Sequence, residues 1–172
     1  TILRGWGIMT PVAIKTAVKQ GYPVERLIGN IWSSSEEVVR SAGPVAKGYT
    51  AIVNGVSGRH WPIVETIWKD LYEGGLTGKD EGKLKDRSMF GIALYNYGIM
   101  EAILTVEAWK AMFEEFGTDI PMNGSYHRFG FENIDLTEED LKQYGERGMI
   151  PTVKTSCKDH TGGHKARFNR WD

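Results

Sequence analysis

Apolar positions in the first 73 residues alternate between short runs and helical spacing. Thr1 to Gly5 opens as a short run. Val12, Ile14, Ala17 and Val18 then recur at intervals that put them on one face of a helix stopping near Gly21. Thr10 stands where it would cap that helix, and Pro11 suits its first position. Arg26 to Ile31 predicts a second strand, and Ser35 to Ala42 a short helix with Glu36 and Glu37 at its positive end. Tyr49 to Asn54 predicts a third strand. Trp61, Val64, Ile67, Trp68 and Leu71 follow at helical spacing over His60 to Tyr72. Strand followed by helix, three times over, predicts a parallel sheet with helices on its faces.

The rhythm breaks between Gly74 and Lys83, where four glycines fall within ten residues, the composition of a connection between structural units. Beyond it the spacing predicts a long helix over Ser88 to Phe116, with Ile92, Tyr95, Ile99, Ala102, Ile103, Val106 and Trp109 as its buried stripe, ended by Gly117. Shorter helices are predicted around Asn123 to Asn133 and from Thr137 to Tyr144, where Thr137-Glu138-Glu139-Asp140 is a variant capping box. Thr152 to Ser156 and Lys165 to Trp171 read as two strands joined through Asp159 to Gly163. The expected fold class is α/β, an open, mostly parallel sheet flanked by helices. The expected units are residues 1–75 (strand–helix units), 76–87 (glycine-rich crossover), 88–148 (helices) and 149–172 (terminal strands).

Two strand-to-helix corners carry the candidate chemistry, Gly5-Trp6-Gly7-Ile8-Met9-Thr10-Pro11 and Gly29-Asn30-Ile31-Trp32-Ser33-Ser34-Ser35-Glu36. In an open α/β sheet such corners lie in the crevice beyond the strand carboxyl ends, where ligands bind. An aromatic wall beside small polar donors suits a small organic solute better than a reaction centre. Trp6 and Trp32 either form that wall or pack between sheet and helix. Ser33, Ser34 and Ser35 either hold a carboxylate at a helix start or serve only as caps.

Composition narrows the function classes. Across 172 residues, 21 basic and 22 acidic side chains nearly cancel, so no long-range field points to nucleic acid. No apolar run approaches the roughly 18–20 residues of a membrane span, since Asn96, Glu101, Glu107 and Lys110 interrupt the stretch from Ile92 to Met112. Cys157 is the single cysteine, so neither an intrachain disulfide nor a multi-cysteine metal cluster forms. His160 and His164 flank a Thr-Gly-Gly turn instead of sharing a helix face, and no metal site or cofactor is expected. No nucleophile elbow, His-Glu-x-x-His or Gly-x-Gly-x-x-Gly occurs, so an enzyme is not the expectation. The chain opens inside a predicted strand with no initiator Met, which leads to the expectation that residues precede Thr1 and that any targeting signal would lie among them.

Taken together, the Gly-Trp-Gly corner, the Ile-Gly-x-x-Trp-Ser-Ser-Ser corner, Ala46-Lys47-Gly48-Tyr49, Leu94-Tyr95-Asn96-Tyr97-Gly98 and the closing Cys157-x-Asp159-His160-x-Gly162-Gly163…Trp171-Asp172 resemble the C-terminal half of type I periplasmic solute-binding proteins of ABC importers, in the branched-chain amino-acid receptor group. The resemblance runs over essentially the whole chain. It implies two lobes joined by crossovers, with ligand in the cleft between them. Residues 1–75 would form most of the second lobe, 88–148 would return to the first, and the terminal strands would cross back. The partners implied are a small-molecule solute (an amino acid or an aromatic or organic acid), a membrane permease and the missing N-terminal half of the receptor. The location implied is periplasmic or extracellular and lipid-anchored. Trp6, Ile8, Trp32, Ser33 and Ser34 would line one side of the cleft, and Tyr95 and Asn96 the other; for Asn96, a cleft-facing and a solvent-facing side chain explain its place in an apolar helix equally well. A ligand-sensing regulatory or receptor domain of the same fold is the alternative.

Overall fold

Short strands form wherever a run of extended backbone meets a neighbour before a turn interrupts it. In a computed structural model describing residues 1–74, 87–163 and 165–172, the first unit contains β1 (Ile2–Leu3), α1 (Met9–Lys19), β2 (Ile28–Gly29), α2 (Glu36–Arg40) and β3 (Thr50–Val53). The second contains α3 (Pro62–Trp68), α4 (Ala93–Phe116), α5 (Gly124–Phe131), β4 (Asp135–Leu136), α6 (Glu138–Gln143) and β5 (Val153–Lys154); β6 (Arg167–Arg170) then returns to the first sheet. β1, β2 and β3 pair in parallel, and β6 joins β3 antiparallel, with Thr50 opposite Arg170 and Val53 opposite Arg167. The fold is α/β, a mostly parallel sheet flanked by helices.

Several sequence expectations change. The second strand is shorter than Arg26 to Ile31: Val24–Arg26 and Ile31–Ser33 are 3₁₀ turns, leaving only Ile28 and Gly29 to pair. Thr10 does not cap α1. Ile8 holds the cap position, and the amides of Met9 and Thr10 are already taken by the carbonyls of Trp6 and Gly7, each at 3.1 Å. The two terminal strands do not pair with each other. β5 pairs antiparallel with β4 in the second unit, while β6 closes the first sheet.

Among the described residues two hydrophobic cores form. Ile14, Leu27, Val39, Ala46, Tyr49 and Ala51 form the first, under α1 and α2. Val64, Phe90, Ile99, Ile103, Leu141 and Ile150 belong to the second, among the helices. Through Val64, α3 packs in the second core and not with the strand–helix units of residues 1–75, so the chain leaves the first core soon after β3. The glycine-rich stretch expected to divide the units lies, for residues 75–86, outside the described residues.

α4 begins at Ala93, later than Ser88, because Arg87–Met89 forms a 3₁₀ turn before it. Its buried face is Ala93, Asn96, Ile99, Met100, Ile103, Ala108 and Met112. Ala102, Val106 and Trp109, expected in the stripe, are exposed. α5 approaches α4 closely through Gly130, where a Cβ would overlap the Ala108 carbonyl.

Candidate functional site

The two corners meet through one buried hydroxyl. Ser33 Oγ donates to the Gly5 carbonyl at 2.6 Å, joining the turn after β1 to the turn after β2. Asn30 Oδ1 accepts from the Ser33 amide at 3.1 Å, and Ser34 Oγ returns to the Ile31 carbonyl at 2.6 Å. Beneath them Tyr49 Oη donates to the Ser33 carbonyl at 3.2 Å, and burial pushes its phenol up to about 12. The fit leaves no room at Gly29, where a Cβ would overlap the Tyr49 hydroxyl.

That framework leaves three apolar side chains in the open. Trp6 is 68% exposed, Ile8 76% and Trp32 56%. Large apolar groups this exposed, on adjacent strand ends, form a surface able to receive an apolar ligand face. Ser33 and Ser34 are buried, with both hydroxyls engaged by backbone carbonyls, so their hydroxyls shape the corner and do not open onto it. Ser35 is also buried, and its hydroxyl makes no capping bond to α2.

The second unit places its two expected residues differently. Tyr95 is half-buried and packs on Phe90 at 4.5 Å between ring centres; Phe90 in turn meets Trp68 edge-on at 5.0 Å. Burial raises its phenol above the ordinary value. Asn96 faces neither cleft nor solvent. It is fully buried and donates to the carbonyls of Val56 at 2.7 Å and Gly58 at 3.2 Å, which pins the segment leading out of β3. The two carbonyls satisfy its Nδ2, while its Oδ1 is buried without a hydrogen-bond partner among the described residues.

Among the described residues the chain passes between the cores over residues 54–61 and again between β5 and β6, and the same neighbourhood holds both passages. The amide of Val56 donates to the Met149 carbonyl at 3.0 Å, and that of Gly58 to the Gly91 carbonyl at 2.8 Å. From β6, Arg167 donates to the carbonyls of Gly148 and Ile150, and Asn169 reaches Ser57 at 3.2 Å.

One contact between the units escapes sequence reasoning. Glu36, read as serving its own helix, accepts from the Ala93 amide at 2.9 Å and so caps α4 from 57 residues away. Beside it a cavity of about 310 Å³ is lined by Glu36, Arg40, Ser57, Arg59, Ser88 and Ile92. Arg59 reaches the Phe90 carbonyl at 3.2 Å, and its guanidinium lies 4.9 Å above the Trp68 ring. No local pattern announces Glu36 or Arg59, because each acts on a partner distant in sequence.

His160 lies 3.1 Å from the Glu132 carboxylate, which also accepts from Arg128 at 2.8 Å. Arg128 holds that carboxyl below the usual carboxylate range, and His160 adds to the effect. Among the described residues no three metal-ligating side chains come together, and His164 lies outside them. No helix among the described residues is long and apolar enough to cross a membrane.

No family model matches the chain, and no curated protein matches it. Two solved structures do. One, named an ABC transporter permease from the Pseudomonas fluorescens group, is 40% identical with a TM-score of 0.86, over 99% of this chain and 40% of that one. The other, an ABC transporter substrate-binding protein from Aeropyrum pernix, is 14% identical with a TM-score of 0.66, over 97% of this chain and 39% of that one. The chain shares its fold with both. It spans about 40% of the length of the first of them.

Proposed function

We propose that this chain is part of the substrate-binding component of an ABC importer, one that captures a small solute between its two units and presents it to a membrane permease. The support that weighs most is the 40% identity, over 99% of this chain, to a structure named as an ABC transporter component. The type I receptor group that binds branched-chain amino acids is the finer reading. Its solute would be an amino acid or an aromatic or organic acid, and its location periplasmic or extracellular and lipid-anchored.

In this reading Trp6, Ile8 and Trp32 touch the solute and Tyr95 faces it from the other unit. Ser33 and Ser34 act as positioning residues for the corners, and Asn96 for the first passage between cores. Closure draws the units together on the solute, and the two passages take up the movement. The remaining length of the receptor would lie against the second unit, whose outer helix leaves Val106, Trp109 and Phe116 exposed.

Native mass spectrometry of the purified chain, followed by a denaturing run on the same sample, tests this. A co-purifying small molecule or a second polypeptide supports the reading. A bare chain whose tryptophan fluorescence stays unchanged through a panel of amino acids and aromatic acids at millimolar concentration overturns it.

A further inference from the structure

Glu146 is the least expected group in the molecule. Its side chain is fully buried, and neither carboxylate oxygen has a hydrogen-bond partner among the described residues. A buried charge left unpaired is among the costliest arrangements a protein can hold, so such a group is kept neutral or moves. No external cation reaches it while the surrounding turn stays closed, because its oxygens are inaccessible.

Its position gives that chemistry a consequence. Glu146 opens the turn through Ile150: its amide donates to the Leu141 carbonyl at 2.7 Å and its carbonyl accepts from Met149 at 2.8 Å. The same turn carries three carbonyls that hold the chain where it passes between the cores. Met149 receives Val56 of the first passage, and Gly148 and Ile150 receive Arg167 at the end of the second. The turn also packs on the start of α3, with Gly145 against Pro62 and Gly148 against Trp61.

Charged neighbours on the surrounding elements are occupied elsewhere. Arg147 lies 3.7 Å from Glu138, Lys142 lies 3.6 Å from Glu139, and Asp140 is bound to Thr137. Arg59 donates to main-chain carbonyls, Arg167 does the same, and His60 lies against the Trp61 ring at 4.4 Å. Tyr144, at the end of α6, is bonded to Glu107 and Lys110, and Glu65 on α3 is exposed.

We propose that Glu146 is a proton-operated clamp on the two passages between the cores. Neutral, it keeps the turn seated and both passages held. Ionised, it draws the turn out toward water and frees the units to move apart. This goes beyond solute capture and does not depend on which solute is bound.

Burial raises the Glu146 carboxyl from its ordinary 4.5 to about 7. The folded state therefore holds the proton more tightly than the unfolded chain. Its stabilisation is complete below about 4.5 and is lost as pH rises through about 7.

The experiment is a melting series from pH 5.5 to 8.5 on the full chain and on Glu146→Gln, with hydrogen exchange read at Val56. The wild-type melting temperature should fall by roughly 5 °C more than that of Glu146→Gln across this range, and Val56 protection should fall with it. Equal pH slopes in the two proteins would overturn the proposal. If Glu146→Gln does not fold, infrared titration of the wild type decides: a carboxylic acid band persisting to near neutral pH supports the clamp, and complete ionisation by pH 5.5 overturns it.

Discussion

The two cores are held in different ways. The first is a framework of short strands in which backbone and hydroxyl groups do the joining: Ser33 on the Gly5 carbonyl, Tyr49 on the Ser33 carbonyl, and Gly29 cut to fit beneath. The second is a helical body packed through large side chains, with Trp68, Tyr72 and Phe90 in mutual contact and Tyr95 packed on Phe90. In the first, Tyr49 is buried as part of the frame, and that frame presents Trp6 and Trp32 outward. In the second, the aromatics are themselves structural. A tryptophan therefore means different things in the two units, and its role is decided by what occupies the space beneath it.

The largest expected effect comes from filling the space under Tyr49. Gly29→Ala normally favours a strand slightly, but here the added methyl meets a buried hydroxyl. We expect a loss of about 3 kcal/mol, read from urea unfolding. A neutral or stabilising result would mean that Tyr49 has room to move and that the first core is not the frame described above.

Next in size is the bond between the units. Asn96→Ala leaves the carbonyls of Val56 and Gly58 without their side-chain donor. The expected loss is about 2 kcal/mol, accompanied by faster hydrogen exchange in residues 54–61. A loss without that local change would assign Asn96 to packing within the second core alone.

Trp32→Ala separates presentation from support. Because the indole is more than half exposed, melting should shift little, while affinity for a bound solute should weaken by about 1–3 kcal/mol by calorimetry. Ser33→Ala should do the reverse to stability, costing about 1–2 kcal/mol through the unpaired Gly5 carbonyl. If Trp32→Ala proves the more destabilising of the two, the frame and its presented surface have been assigned the wrong way round.

How much of this was legible in the sequence depended on distance along the chain. The three strand–helix repeats and the parallel pairing of β1 to β3 follow from local periodicity, and the Thr137 helix start from cap chemistry within three residues. Strand length was not legible, because Asn30 folds the chain into a turn that periodicity does not report. Nor was the partner of β5, since the Asp159–Gly163 stretch reads as a hairpin connection while Asp135 and Leu136 offer β5 a better neighbour. At the candidate site, the corners and their tryptophans were visible as motifs. The burial of Ser33, Ser34 and Asn96 was not, because it is set by Gly5, Ile31 and Val56, and only the second of these is a local partner.

The smallest expected effect tests whether the two cores melt together. Thr137 and Asp140 form a reciprocal cap at the start of α6: Asp140 accepts from the Thr137 amide at 2.8 Å and its own amide donates to the Thr137 hydroxyl at 3.3 Å. Those bonds hold the Asp140 carboxyl below its ordinary value, the Thr137 side chain contributing most. The folded state thus favours the ionised carboxylate. Its contribution is present above the unfolded chain's carboxylate range and is lost as pH falls through the lowered value. Thr137→Ala should cost about 1 kcal/mol at neutral pH and less in acid, where the cap is already broken. Hydrogen exchange then assigns the loss. Confined to α6 and its neighbours, it means that the helical core opens independently of the strand framework. Spread equally to β1, β2 and β3, it means that the bonds made by residues 54–61 and by β6 make the two cores one cooperative unit, and that a local cap stabilises the tryptophan-bearing corners as well.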